Sequence, residues 1–224
     1  MNARNICLLT IVLNVISTVA LCRSSEPETP APILAKQHLE RFDLVNGSLR
    51  DGLIKLAREV GGHFGYEEVL REKHTDPQDT ELKFSLHLTD TTIRAVLDAL
   101  CQHDSRYIWS AERWTINVYP EATKGDSKYL LNRRISRLEL KASPNPDRAL
   151  FALDTLPLPK EQIGYVEAGG DDTYDAPWTA SFNDLAVRQF VNELAIHMGP
   201  STMWSFQGSM EERLFSFARF RRQP

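Results

Sequence analysis

The sequence predicts an α+β fold made of two tandem modules, each a small mixed sheet with two helices on one face. The first observation is the segment Leu82 to Leu88, where apolar and polar residues alternate as they do along a half-buried strand. The second is helical spacing directly after it. There, one apolar stripe recurs at intervals of three and four residues, through Ile93, Val96, Leu97, Leu100 and Cys101.

A third observation is an internal repeat. The segment Leu88–Cys101 (LTDTTIRAVLDALC) matches Phe182–Ala195 (FNDLAVRQFVNELA), with identical residues at both the aspartate and the arginine positions. A tryptophan follows each copy, Trp109 and Trp204. A repeat of this length predicts one structural unit that is used twice.

The N-terminus is typical of export. Residues 1–22 have a positive start at Arg4 and an apolar run that ends with small residues, which predicts a secretory signal peptide and a periplasmic or secreted protein. An uncleaved membrane anchor is the alternative, because the run approaches the shortest spanning length. Cys22 in Val19–Cys22 is a candidate for lipid attachment, although Leu21 departs from the small residue expected before the cysteine.

Residues 23–36 are rich in Pro, Glu and Ser and are predicted to be a linker that buries little. The formal net charge is −4, and the basic residues are scattered, which argues against a nucleic-acid partner. Only the tail, with Arg219, Arg221 and Arg222, is locally basic, and a solvated terminus explains it. The predicted contact with a membrane is limited to the signal segment or a lipid at Cys22.

The first unit, residues 37–121, is expected to have the order β-α-β and then β-α-β-β. Ser48 is expected to cap the first helix with Asp51, Gly61 to end it, and Asp90 or Thr91 to cap the second. The predicted strands are 38–45, 63–67, 82–88, 107–109 and 114–119, and the first helix is 49–60.

Residues 122–131 are predicted to be a second linker, and residues 132–224 repeat the order of the first unit. Asn145 is expected to cap a short helix with Pro146 at its first position. The repeated helix follows a strand that begins at Trp178. The other predicted strands are 135–140, 163–166, 203–206 and 214–217.

The first unit resembles the secretin and TonB N-terminal short domain, or STN domain. The residues that carry the resemblance are Phe42-Asp43-Leu44, Gly47, Leu49, Leu53, Leu56-Ala57, Gly61, Tyr66, Leu88, Ile93, Val96-Leu97, Leu100, Tyr107 and Thr115–Pro120. The second unit looks like a divergent copy, matched best over Trp178–Phe217.

The resemblance implies a small periplasmic α+β module that contacts other proteins. In that family the module precedes a secretin ring or a receptor barrel, and neither is expected after Pro224. Channel or receptor activity is therefore not carried over. What the resemblance implies is the protein-binding role alone.

No cofactor or metal is predicted. The histidines, His63, His74, His87, His103 and His197, do not stand at ligand spacing. The polar loop Gly169–Asp175 has three carboxylates, but it does not fit a calcium-loop pattern, so a solvated loop is the favoured interpretation.

No catalytic residue is predicted either. Cys101 stands near His103 and Ser105, but it lies on the apolar stripe, where a buried thiol is a poor nucleophile. Asn46-Gly47-Ser48 fits a glycosylation sequon, and helix-start chemistry explains the same residues. Arg94 and Arg188 are expected on exposed helix faces.

The expected function is a non-catalytic protein-interaction module of the bacterial cell envelope. Its partner would be an envelope protein that adds a strand at a sheet edge. Two alternatives stay open. One is a small envelope hydrolase that acts on cell-wall or peptide substrates, with Asp171, Asp175 and a histidine in a pocket, and the other is a structural subunit that forms rings.

Overall fold

The computed structural model describes residues 29–69, 81–143, 149–150, 162–168, 178–208 and 212–220. The chain has the predicted α+β class. The helices are α1 (Ala31–Leu34), α2 (Leu49–Val60), α3 (Ile93–His103) and α4 (Val187–His197), and the short 3-10 turns are Glu121–Thr123 and Leu130–Asn132. The strands of the first half are β1 (His38–Gly47), β2 (His63–Glu67), β3 (Phe84–Thr92), β4 (Tyr107–Glu112) and β5 (Thr115–Pro120). The strands of the second half are β6 (Arg134–Ser143), β7 (Gln162–Ala168), β8 (Trp178–Ala186), β9 (Thr202–Gly208) and β10 (Glu212–Arg219).

Local sequence signals set the ends of α2 as predicted. The Ser48 hydroxyl accepts a hydrogen bond from the Asp51 N–H at 3.2 Å, and the Asp51 carboxylate accepts one from the Ser48 N–H at 2.9 Å. This reciprocal pair satisfies two N–H groups that the first turn of a helix leaves open. Gly61 ends the helix at φ 72°, a left-handed conformation that glycine adopts without strain.

The predicted cap of α3 is wrong by one or two residues. Thr92 is the cap, because its hydroxyl accepts a hydrogen bond from the Ala95 N–H at 3.2 Å. Asp90 lies within β3 at φ 51°, and its carboxylate contacts His38 Nε2 on β1 at 2.6 Å. The aspartate therefore links two strands, a role that its position before an apolar helix does not reveal.

Each half contains an antiparallel two-stranded ribbon with the same register. Phe42 of β1 stands opposite Leu88 of β3, and Leu138 of β6 stands opposite Phe182 of β8. Both ribbons have an irregularity just before their last pair. Asp184 of β8 also has φ 51°, the value found at Asp90.

The remaining strands form one six-stranded sheet in the order β4-β5-β2-β9-β10-β7. The sequence predicts a separate sheet for each unit, and the structure differs because β2 pairs in parallel with both β5 and β9. β2 is buried along its whole length, so a partner strand on each side satisfies main-chain groups that water cannot reach.

The two halves place their cores on opposite faces of this sheet. Met203 of β9 belongs to the core formed with α2 and α3, and the next residue, Trp204, belongs to the core formed with α4. Successive side chains of a strand point to opposite faces. The joined sheet therefore carries the helices of the first half on one side and α4 on the other.

Parts of both predicted linkers belong to the fold. Ala31 and Leu34 of α1 are buried in the first core, and Leu130 and Leu131 are buried in the second. The main chain repeats a contact here, since the Gln37 carbonyl accepts from Ile93 N–H and the Arg133 carbonyl accepts from Val187 N–H. Short apolar runs close to Pro or Gly signal a loop by composition, and only the packing reveals that these runs fill core space.

Candidate interaction site

The contact between the two halves is a pair of parallel strands, β2 and β9. Phe64, Gly65, Tyr66 and Glu67 stand opposite Met203, Trp204, Ser205 and Phe206. The pairing extends one residue further, because the Glu68 N–H donates to the Phe206 carbonyl oxygen at 2.8 Å. We call this pairing the β2–β9 joint.

Close approach at the β2–β9 joint requires a glycine. A Cβ atom on Gly65 would lie 2.5 Å from the Trp204 ring and 2.4 Å from Asn117 Oδ1. Glycine inside a strand commonly marks a site where another group comes close to the backbone. Here the missing side chain of Gly65 makes room for the indole of Trp204.

We expect Gly65→Ala to lower the free energy of unfolding by about 1–3 kcal/mol, the usual cost of overpacking a well-filled core. The indole and the Asn117 amide are both held in the interior and have little room to move. Urea denaturation followed by circular dichroism measures the change. A stability equal to that of the unmodified chain would contradict the close contact.

An ion pair connects α4 to β2 at the β2–β9 joint. The Arg188 guanidinium on α4 donates to both carboxylate oxygens of Glu67, with Nη2 at 2.9 Å from Oε2, and also to Asn132 Oδ1 at 2.7 Å. It stacks on the Tyr119 ring at 4.6 Å from the centroid. The Glu67 side chain is 0% exposed and that of Arg188 is 13% exposed.

The environment of Arg188 favours its charged form. Burial acts to lower the pKa of Arg188, but the bonds to Glu67 outweigh burial and raise the pKa above its ordinary value. The expected exposed position is therefore wrong for Arg188 and correct for Arg94, which is exposed and lies over the Trp109 ring at 5.0 Å.

The two repeated tryptophans make the same hydrogen bond. Trp109 Nε1 donates to Asp98 of α3 and Trp204 Nε1 donates to Asn192 of α4, both at 2.7 Å. Trp204 is fully buried at the β2–β9 joint, whereas Trp109 on β4 is partly exposed. β4 and β9 therefore hold equivalent places, one at an outer edge of the sheet and one inside it.

The outer strands of the sheet are β4 and β7, and among the described residues no further strand pairs with either. β4 and β5 are joined by a two-residue turn between Glu112 and Thr115, so these two residues bond to each other across the hairpin. Alternation along the strand then directs the main-chain groups of Trp109 and Ala111 away from β5, toward the open side. We call this side the β4 edge.

A small cleft of about 60 Å³ opens beside the end of β2. At its base the hydroxyls of Tyr66 and Tyr107 are 2.9 Å apart, and Tyr107 also accepts from the Val69 N–H. Burial raises the pKa of both tyrosines, so both stay neutral near pH 7 and neither is set up to act as a base. The cleft is lined by Ser48, Leu49, Arg50, Tyr66, Glu68, Val69, Glu81, Leu82, Asp104, Arg106 and Tyr107.

Four of the histidines considered above, His63, His87, His103 and His197, lie in the described part of the chain. In the described part of the chain, no three His, Cys, Asp or Glu residues are grouped as a metal site would require. His87 contacts Asp43 at 2.9 Å and lowers the pKa of that carboxyl, and His103 stacks on Phe84. The Gly169–Asp175 loop, His74, Asn145, Arg221 and Arg222 lie outside the described residues.

Cys101 packs partly against the first core, as its place on the apolar stripe predicts. Burial raises the pKa of the Cys101 thiol to about 12. Because the thiolate is the reactive form, alkylation of Cys101 at pH 8 should be slower in the folded chain than in urea by about 1000-fold, the ratio of the two thiolate fractions. Mass spectrometry of the Cys101 peptide against time measures both rates, and equal rates would contradict the assigned burial.

Comparisons with protein families, with curated proteins and with solved structures found no match. Within the described ranges, no helix has the length and apolar character needed to span a membrane.

The sequence does not reveal the residues of the β2–β9 joint in advance. Glu67, Asn132 and Tyr119 are far apart in the chain, and only the tertiary fold assembles them around Arg188. One signal was available, since Gly65 interrupts an otherwise ordinary strand sequence, HFGYE.

Proposed function

We propose that this protein is a non-catalytic interaction module exported to the bacterial cell envelope, where it binds a protein partner by strand addition. In this proposal the chain contains two STN-like domains in tandem, residues 37–121 and 132–224, the second a divergent copy. Each has the order β-α-β and then β-α-β-β. The N-terminal segment directs the chain to the periplasm or the exterior.

The duplication is supported by four paired features. The ribbons β1–β3 and β6–β8 share one register, Asp90 and Asp184 share one backbone conformation, and the two tryptophans make equal hydrogen bonds. The short helical turns before β1 and β6 fill equivalent core positions. Chance resemblance between two helices does not account for agreement at all four levels.

The observation that carries the binding function is the β2–β9 joint. There, one half of the chain recognises the other by adding a strand in parallel, with main-chain hydrogen bonds along the edge and Trp204 against Gly65. The β4 edge offers the same main-chain groups without a strand beside it in the described residues. Strand addition to such an edge is a common mode of peptide recognition.

The experiment is a quantitative pull-down from envelope extract with three baits. Ala111→Pro removes the N–H that points away from β5 and leaves the β4–β5 hydrogen bonds intact, while Ala111→Ser keeps the N–H and serves as the matched control. We expect a partner to be recovered by the unmodified chain and Ala111→Ser and to be lost with Ala111→Pro. Recovery of the same proteins by all three baits would count against the β4 edge.

A further inference from the structure

A symmetry operation relates the second half of the chain to the first, and it acts once within the chain. In the sheet order, β4-β5-β2 is followed by β9-β10-β7, so equivalent strands recur in the same sequence from left to right. β4 runs antiparallel to β5 and β2, whereas its equivalent β9 runs parallel to β2. The strand directions are therefore reversed in the second half.

The cores of the two halves also lie on opposite faces of the sheet, because Met203 packs in the first core and the adjacent Trp204 packs in the second. The strand order is unchanged, but the strand directions and the core-bearing face are both reversed. These changes are produced by a rotation of 180° about an axis in the plane of the sheet, perpendicular to the strands, together with a shift of three strands along that axis. This operation is a two-fold screw. Its contact is heterologous, since the β2 side of one half meets the β9 side of the next.

Applied once more, the same screw places a new β4 beside β7. β7 runs parallel to β10 and antiparallel to β9, and the new β4 would run parallel to β7, as β9 runs parallel to β2. The two strands that meet at each contact have related sequences, because β7 (QIGYVEA) repeats the Gly-Tyr of β2 (HFGYE). β4 and β9 are matched through their tryptophans.

From this geometry we infer that the partner of the open edges is a second copy of this chain, added head to tail with its β4 edge along β7. The inference rests on the proposed function, strand addition, and it names the protein that supplies the added strand. A screw does not return to its starting point, so the product is an open-ended filament with a continuous sheet. Helices alternate on its two faces, and each contact between copies repeats the parallel strand pairing of the β2–β9 joint.

The described structure leaves room for this contact. α1 lies against the end of β4 next to the turn, where the Ala31 N–H donates to the Arg113 carbonyl oxygen at 2.8 Å. The equivalent turn, Leu130–Asn132, stands before β6 and does not prevent β2 from pairing with β9. Arg94 is the counterpart of Arg188 and is exposed beside the β4 edge, in the position from which Arg188 seals the β2–β9 joint.

The test is the mass distribution of the purified exported protein against concentration, by light scattering after size exclusion and by sedimentation velocity. We expect a ladder of species that grows with concentration. Ala111→Pro should weaken association by about tenfold or more, since a main-chain bond is lost, and Ala111→Ser should behave as the unmodified chain.

A mixing experiment tests the polarity. Ala111→Pro retains its own β7 side, so a small fraction added to the unmodified chain should bind to growing ends and shorten the filaments. A chain that stays monomeric at its solubility limit, or stops at a dimer, would overturn the head-to-tail inference. A monomer that still captures an envelope partner through the β4 edge would leave the proposed function standing, and loss of both would refute strand addition itself.

Discussion

Replacing Glu67 with leucine is expected to lower the free energy of unfolding by about 3–5 kcal/mol, the usual cost of removing one partner from a buried ion pair. Arg188 would keep its charge in a site that is 13% exposed, with Asn132 as its only remaining hydrogen-bond acceptor among the contacts described above. Urea denaturation followed by far-ultraviolet circular dichroism measures the change. Because Glu67 lies on β2 and Arg188 on α4, the loss would fall on the β2–β9 joint.

Two control variants separate the buried charge from lost packing. The double variant Glu67→Leu with Arg188→Met removes both charges, and we expect it to recover most of the lost stability, since apolar pairs often replace buried ion pairs without cost. Asp184→Asn removes the negative charge from the exposed ion pair with Arg134 and should change the stability by less than about 1 kcal/mol. A double variant as unstable as Glu67→Leu would contradict the electrostatic explanation.

Replacing Trp204 with alanine is expected to cost about 3–5 kcal/mol, as is typical for truncating a fully buried aromatic side chain. Trp204 is 0% exposed, packs in the second core and covers Gly65. The variant also removes the donor to Asn192, a buried side chain that would lose the bond made at 2.7 Å. Thermal and urea unfolding, monitored by circular dichroism, give the change.

Trp109 provides a matched control for this prediction. It occupies the equivalent place on β4 and makes the equivalent bond to Asp98, but it is partly exposed and has no strand beside it in the described residues. Trp109→Ala should therefore cost about 1–2 kcal/mol, in keeping with the smaller apolar area that it removes from contact. Equal losses for the two tryptophans would contradict the different burial of β4 and β9.

Local patterns in the sequence predicted most of the secondary structure. The alternation after Leu82 and the apolar stripe of α3 identify a strand and a helix because each has its own period of burial. Ser48 and Gly61 set the ends of α2 because a cap acts through atoms four residues away at most. The predictions were wrong at Asp90 and in the two linkers. In both cases the residues contact a strand or a core that is formed by distant parts of the chain.

The sequence by itself determined the α+β class, the helices α2, α3 and α4, and the repetition of Leu88–Cys101 in Phe182–Ala195. Only the tertiary structure decided that one sheet joins the two halves, that their cores lie on opposite faces, and that Arg188 is mostly covered while Arg94 is exposed. The physical reason is the separation along the chain between the residues that interact. Periodicity and capping depend on neighbours within a few residues, whereas strand pairing and charge burial depend on residues more than a hundred positions apart, such as Glu67 and Arg188.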